Sequence, residues 1–94
     1  MAHYVSTHTL PGFTREMLEQ ASPALEALPR GNTGATFIRA ATSFSEGRVV
    51  CEMEAPSKES VAAAYAQLGF PYDDIVLVDA ICVNDDRGVN TTNV

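Results

Sequence analysis

The sequence contains only two histidines and only six basic residues against twelve acidic ones, so its formal net charge is −6. Nonspecific binding to nucleic acid or to an anionic membrane requires a basic patch, and the basic residues here are scattered. No run of residues approaches the roughly 20 apolar positions of a membrane-spanning helix. The N-terminus lacks the basic start and apolar stretch of a signal peptide. We therefore expect a cytoplasmic protein with no nucleic-acid partner and no membrane partner.

Motifs for catalysis and cofactor binding are also missing. The sequence has no G-x-S-x-G, no phosphate-binding loop, no dinucleotide fingerprint and no H-E-x-x-H. Its two cysteines, Cys51 and Cys82, lie in apolar strand-like runs without CxxC spacing, which favours two reduced core thiols over a disulfide or a metal pair. We predict no cofactor, so an enzyme built from this chain would act by proton transfer in a small apolar cavity.

A length of 94 residues with 46% hydrophobic composition suits one folded domain. β-Branched residues predict a first strand from His3 to Leu10, and Thr14 is a suitable N-cap for the helix that follows. Pro23 lies inside that helical pattern, directly after Ser22. It predicts either one kinked helix or two short helices that meet at Ser22.

The second half of the chain predicts a hairpin, a helix and a final strand. Strands over residues 35–44 and 48–54 flank a turn at 45–47. Ser57 caps the second helix, and Gly69 with Pro71 ends it. The last strand is predicted over residues 75–83. Residues 84–94 are polar, so we divide the chain into a domain of residues 1–83 and a C-terminal tail of residues 84–94.

The resulting order, β-α-β-β-α-β, is the split arrangement of ferredoxin-like folds in the α+β class. It predicts a four-stranded antiparallel sheet with both helices on one face. We further expect the first and third strands to lie side by side and parallel to each other. Apolar residues are consecutive at 49–51 and 75–78, which indicates that both faces of the sheet are covered. Because the helices cover one face, we infer a homodimer that packs sheet to sheet; a monomer that tolerates exposed valines is the alternative.

Three short segments carry a family resemblance: Gly12-Phe13-Thr14, residues 51–56 (CEMEAP), and Gly69-Phe70-Pro71 followed by Asp74. With its predicted elements, the chain resembles the nickel-binding-protein-like family of small bacterial dimeric ferredoxin-like proteins over residues 4–79. The resemblance implies a dimeric assembly that is similar to an α+β barrel.

The chain departs from that family at the positions of its metal ligands. An Asp-x-His-His cluster in the first strand of the nickel-binding member matches residues 5–8, where only His8 remains. Two further histidines of that member match Tyr65 and Phe70. Octahedral nickel requires several converging imidazole or carboxylate ligands. We therefore predict no metal-ligating residues in this chain.

His8 is the candidate general base, since His3 lies near the terminus and is expected to be solvated. With the first and third strands parallel, His8 would lie beside Glu54, which would stabilise its charged form, and Tyr65 would project towards both. We predict these three as catalytic residues. The alternative is that His8 packs at the sheet edge, that Glu54 caps a backbone amide and that Tyr65 is a core residue.

Arg39 and Glu52 are candidate ligand-binding residues, because an arginine within an apolar strand either pairs with an acid or holds a carboxylate bidentately. The leading functional hypothesis is a small-ligand-binding protein with a cavity between helices and sheet. One alternative is a cofactor-independent isomerase, cyclase or oxygenase that uses His8. The other is a metal-binding protein.

Overall fold

The computed structural model describes residues 1–94. It contains the strands β1 (Ala2–Thr9), β2 (Thr36–Ser43), β3 (Arg48–Ala55), β4 (Asp74–Val78), β5 (Ala80–Asp85) and β6 (Gly88–Asn93), and the helices α1 (Arg15–Ala27) and α2 (Lys58–Leu68), with a short 3-10 helix at Leu28–Arg30. The predicted α+β class is confirmed. No helix reaches the length and apolar character that crossing a membrane would require.

The main sheet has four strands in the order β2-β3-β1-β4, and all neighbouring pairs are antiparallel. The predicted parallel pairing of the first and third strands is therefore wrong. Because β1 and β2 are joined by the α1 crossover, they run in the same direction, and β3 returns from β2 through a hairpin to lie between them. In the observed register His8 faces Val49 and His3 faces Glu54.

Side-chain caps set the ends of both helices. The Thr14 side chain accepts a hydrogen bond from the Met17 amide at 3.2 Å, and the Ser57 side chain accepts one from the Ser60 amide at 3.2 Å. Gly69 ends α2 in the left-handed conformation with φ 72°, which glycine adopts without a steric penalty. Of the two alternatives for Pro23, the structure has a single helix.

Both helices pack on one face of the sheet, and the core lies between the helices and the sheet. In β3 the residues at alternate positions are buried, which is the pattern of a strand with one covered face. The buried apolar residues are Tyr4, Phe13, Leu25, Leu28, Ala35, Val49, Cys51, Met53, Ala55, Val61, Ala64, Tyr65 and Ile75.

The other face of the sheet is left open by this chain. Val50 and Val76 lie on this face and are 43% and 50% exposed. The residues directly before them, Val49 and Ile75, point to the helix-covered face and are buried. We name the surface that carries Val50 and Val76 the open sheet face. The apolar runs at residues 49–51 and 75–78 predicted that both faces of the sheet are covered. Within a single copy, only the face beneath the helices is covered.

The C-terminal region differs from the prediction. The last strand does not run to Val83: β4 ends at Val78, and β5 pairs with β6 as a separate two-stranded sheet. Residues 84–94 are therefore not an unstructured tail, because they complete this hairpin. The turn is stabilised locally, where the Arg87 amide donates to the Asp85 carboxylate at 2.8 Å. The assignment of residues 1–83 as one domain stays a prediction.

Candidate functional site

A chain of polar side chains crosses the interior beneath the helices. Alternation along β1 points Tyr4, Ser6 and His8 inward, and α2 presents Tyr65 to the same region. Ser6, His8 and Tyr65 are all fully buried. Buried polar groups are costly unless they are hydrogen-bonded, and these residues satisfy one another.

The directions of these side-chain hydrogen bonds follow from the contact between His8 and the Pro71 carbonyl. Nδ1 of His8 lies 2.8 Å from the carbonyl oxygen of Pro71, which only accepts, so Nδ1 carries the proton. In the neutral ring Nε2 then accepts from the Ser6 hydroxyl at 2.9 Å. Because the Ser6 proton is used there, the Ser6 oxygen accepts from the Tyr65 hydroxyl at 2.5 Å. The relay runs from Tyr65 through Ser6 to His8.

Burial keeps the acidic groups of this region protonated. It is the main cause that raises the pKa of the Tyr65 phenol above its ordinary value of 10.0, and the nearby Cys51 raises that pKa further. Burial likewise raises the pKa of the Cys51 thiol above 9.0. Both groups are neutral at pH 7, so Tyr65 serves as a hydrogen-bond donor and Cys51 is not a reactive thiolate.

Two adjoining spaces lie at the end of the layer between helices and sheet. An enclosed cavity of about 20 Å³, the size of one water molecule, is lined by His8, Cys51 and apolar side chains. A surface groove of about 320 Å³ opens next to it. The groove is lined by Thr9, Leu10, Pro11, Phe13, Met17, Gly69, Phe70 and Pro71. Leu10, Phe13 and Phe70 line both spaces, so these three side chains form the wall between them.

The enclosed cavity is much smaller than the predicted ligand cavity. Ligand pockets have volumes of about 300–1,000 Å³, which the interior does not provide, whereas the groove reaches the lower end of that range. The Phe70 ring lies edge-on to the Phe13 ring, with centroids 6.2 Å apart.

Glu54 does not take part in this site, so the predicted pairing of His8 with Glu54 is wrong. Since β1 and β3 are antiparallel, Glu54 lies opposite His3 at the other end of β1. The alternation of β3 also places Glu54 on the open sheet face, whereas His8 points inward. Of the three predicted catalytic residues, the structure brings together His8 and Tyr65, whose rings are 4.7 Å apart.

Arg39 and Glu52 meet on the open sheet face. The Arg39 Nε and Nη2 atoms donate to the two carboxylate oxygens of Glu52 at 2.8 and 3.1 Å. The hydrogen bonds and the charge of Glu52 raise the pKa of the exposed Arg39 guanidinium. These two residues contribute to the lining of a shallow depression of about 250 Å³.

His3 belongs to the same cluster, and its predicted solvation is wrong. The residue is only 7% exposed, and its Nε2 lies 3.8 Å from the Glu52 carboxylate without a hydrogen-bond partner. Sequence reasoning missed it because burial on a central strand depends on neighbours that are distant in the chain. The alternation of β1 indicated only the face, because it groups His3 with Val5 on the open sheet face.

The residues of this chain do not fit a nickel ion. No three His, Cys, Asp or Glu side chains converge anywhere in the structure. Both nitrogens of His8 are already engaged, by Ser6 and by Pro71. An octahedral ion requires more ligands than a single copy offers.

Comparison with known proteins identifies a family and a similar solved structure. Residues 4–78 match the family model described as nickel responsive protein SCO4226-like. The crystal structure of SCO4226 from Streptomyces coelicolor A3(2) superposes with a TM-score of 0.73 at 29% sequence identity, and the match covers 82% of this chain and 95% of that chain. No curated protein matches the chain in sequence.

Proposed function

Because the chain belongs to the nickel responsive protein SCO4226-like family, yet lacks a set of converging metal ligands, we propose that it binds a small apolar molecule rather than nickel. The ligand enters the groove beside Phe13 and displaces Phe70. It then extends into the enclosed cavity towards His8.

The observation that carries this proposal is the shared wall between groove and cavity. Leu10, Phe13 and Phe70 separate a groove of about 320 Å³ from a cavity of about 20 Å³. Phe70 directly follows the helix end at Gly69 and, like Leu10, is half-buried, whereas Phe13 is buried. The lining is almost wholly apolar, and the two nitrogens of His8 are satisfied within the protein. The ligand is therefore recognised mainly by apolar contact.

A titration with benzene tests the groove. Saturable chemical-shift changes are expected at the methyl groups of Leu10, Met17 and Leu18. Phe70→Ala should strengthen binding, because it removes the wall that closes the cavity. Tyr72→Ala is the matched control, since Tyr72 is a neighbouring aromatic residue that does not line the groove. Equal effects of the two substitutions, or no saturable shifts, would reject the groove as the ligand site.

We also propose that the protein is a homodimer joined through the open sheet face. The exposed Val50 and Val76 support this, because a second copy would cover both. The strand order β2-β3-β1-β4 is compatible with the ferredoxin-like, α+β-barrel-like dimer. In such a dimer Arg39 and Glu52 lie between the sheets. There the exposed guanidinium retains free donors for a carboxylate ligand.

The second candidate function is a cofactor-free acid–base enzyme. The hydrogen-bonded series from Tyr65 through Ser6 to His8 supports it, since His8 is the imidazole that borders the cavity; to transfer a proton to a bound molecule, its Nδ1–H would leave the Pro71 carbonyl. In this function His8 acts without Glu54. His8→Asn should abolish turnover but preserve benzene binding, whereas a pure binding protein has no turnover to lose.

A further inference from the structure

Cys51 is a buried nucleophile that the proposed binding function does not use. Its side chain lines the enclosed cavity of about 20 Å³ together with His8. All other residues of that lining carry apolar side chains without a nucleophilic or titratable group. A thiol and an imidazole therefore border the same small space.

Ser6 connects this thiol to the imidazole. In the register of β1 and β3, Ser6 lies directly opposite Cys51, and both side chains point inward. The Cβ atoms of such a cross-strand pair are about 4.5–5.5 Å apart, so the thiol lies beside the Ser6 hydroxyl. That hydroxyl donates to Nε2 of His8 at 2.9 Å. A proton that leaves the Cys51 thiol therefore has a route through Ser6 to His8.

The hydroxyl groups around the thiol favour its ionised form. Burial raises the pKa of the Cys51 thiol, whereas hydrogen bonds from Tyr65 and Ser6 act to lower that pKa. The thiol is neutral at rest, but the groups that would stabilise a thiolate and accept its proton are already in place. A nucleophile connected in this way to a general base is the arrangement used in covalent catalysis.

The linings of the cavity and of the groove restrict the electrophile that this thiol could attack. Neither lining contains a lysine or an arginine, so no cation is available to stabilise the departing anion of a displacement reaction. Addition to a carbon–carbon double bond that is conjugated to a carbonyl group releases no anion. This addition requires a proton donor for the enolate, and His8 is the proton donor at the cavity.

We propose that Cys51 is the attachment site of an apolar α,β-unsaturated ketone or aldehyde that enters through the groove. The Cys51 sulfur bonds to the β-carbon while the π bond breaks, and the thiol proton passes through Ser6 to Nε2 of His8. The resulting enolate takes one proton back from His8 at its α-carbon. The sum is the addition of S–H across the double bond, without an oxidant or a cofactor. This inference rests on the proposed function and names the chemical class of its ligand.

The test treats the full-length protein with 1-penten-3-one and measures the adduct at each cysteine by peptide mass spectrometry. Cys82, a free and exposed thiol, is the internal reference. His8→Asn should slow the modification of Cys51 at least about tenfold, because it removes the proton acceptor, and should change the rate at Cys82 less than about twofold. His3→Asn is the matched control, since His3 lies on the open sheet face, and it should leave both rates within about twofold.

Loss of stability cannot produce the expected result, because a loosened fold exposes Cys51 and speeds its modification. An equal or faster rate at Cys51 in His8→Asn overturns the proposal. Saturable benzene binding by a protein whose Cys51 stays unmodified while Cys82 is fully modified also overturns it, and leaves the groove as a binding site. Absence of both benzene binding and Cys51 modification overturns the attachment site and the proposed function together.

Discussion

His8 and Tyr65 meet edge to face in the interior, with ring centroids 4.7 Å apart and ring planes inclined at 73°. The two residues are 57 positions apart in the chain, and the Ser6 hydroxyl joins them as acceptor from one and donor to the other. This contact fixes the end of β1 against α2. It also orients the only imidazole that borders the enclosed cavity.

Removing the middle of the relay should destabilise the protein more than removing its end. Ser6→Ala leaves both the Tyr65 hydroxyl and Nε2 of His8 buried and unpaired, at a cost of about 1–3 kcal/mol for each group. Tyr65→Phe removes one donor and leaves Ser6 bonded to His8, so about 1 kcal/mol is expected. Urea denaturation measures both. A Ser6→Ala protein as stable as the wild type would show that the relay does not stabilise the fold.

Stability should fall as the pH rises above about 9 to 10. The pKa values of Tyr65 and Cys51 are raised in the folded state. Above the ordinary pKa values the unfolded chain therefore loses protons that the folded chain keeps, and each such group lowers the free energy of unfolding by up to about 1.4 kcal/mol per pH unit. The stability is complete below the unfolded-state pKa values.

Tyr65→Phe tests the tyrosine part of this dependence. The variant should show a shallower fall between pH 10 and 11 than the wild type. Tyr72→Phe is the control, because it removes a phenol whose hydroxyl takes no part in the relay. Identical pH profiles for Tyr65→Phe and the wild type would contradict the assignment.

Substitutions at two adjacent residues of β4 test whether the open sheet face forms the dimer interface. Val76 and Leu77 are 50% and 53% exposed, but they point to opposite faces of the sheet, and Val76 lies on the open sheet face. Val76→Glu should convert a dimer of about 20 kDa to a monomer, because a buried unpaired charge is costly. Leu77→Glu should leave the dimer intact. Light scattering that reports a monomeric wild type at micromolar concentration would exclude the dimer.

Nickel should bind weakly. At the positions where the family resemblance implies metal ligands, this chain carries Val5, Thr7, Tyr65 and Phe70, and the remaining His8 has both nitrogens engaged. Calorimetry is expected to show no submicromolar binding. Tight binding that is lost in His8→Ala would mean that the relay opens to admit the metal.

Local signals were sufficient to predict both helices and the central hairpin. Ser57 and Gly69 bound α2 as expected, and the turn at 45–47 joins β2 to β3. These features depend on residues that are close in the chain. The sequence also predicted correctly that Tyr65 lies on the inner side of α2.

The site was less predictable because it depends on strand direction and on distant contacts. Pairing β1 with β3 in the wrong direction placed Glu54 beside His8, although they lie on opposite faces at opposite ends. Ser6 carried no signal of its role, since its partner Tyr65 is 59 positions away. The hairpin of β5 and β6 was missed because its polar composition is similar to that of a flexible tail.

The most direct test of the account is a crystal structure of the protein soaked with benzene. The account predicts that the molecule occupies the groove, displaces the Phe70 ring from Phe13 and reaches the cavity beside His8. Density for the molecule between two sheets at Arg39, with Phe70 in its present place, would contradict it.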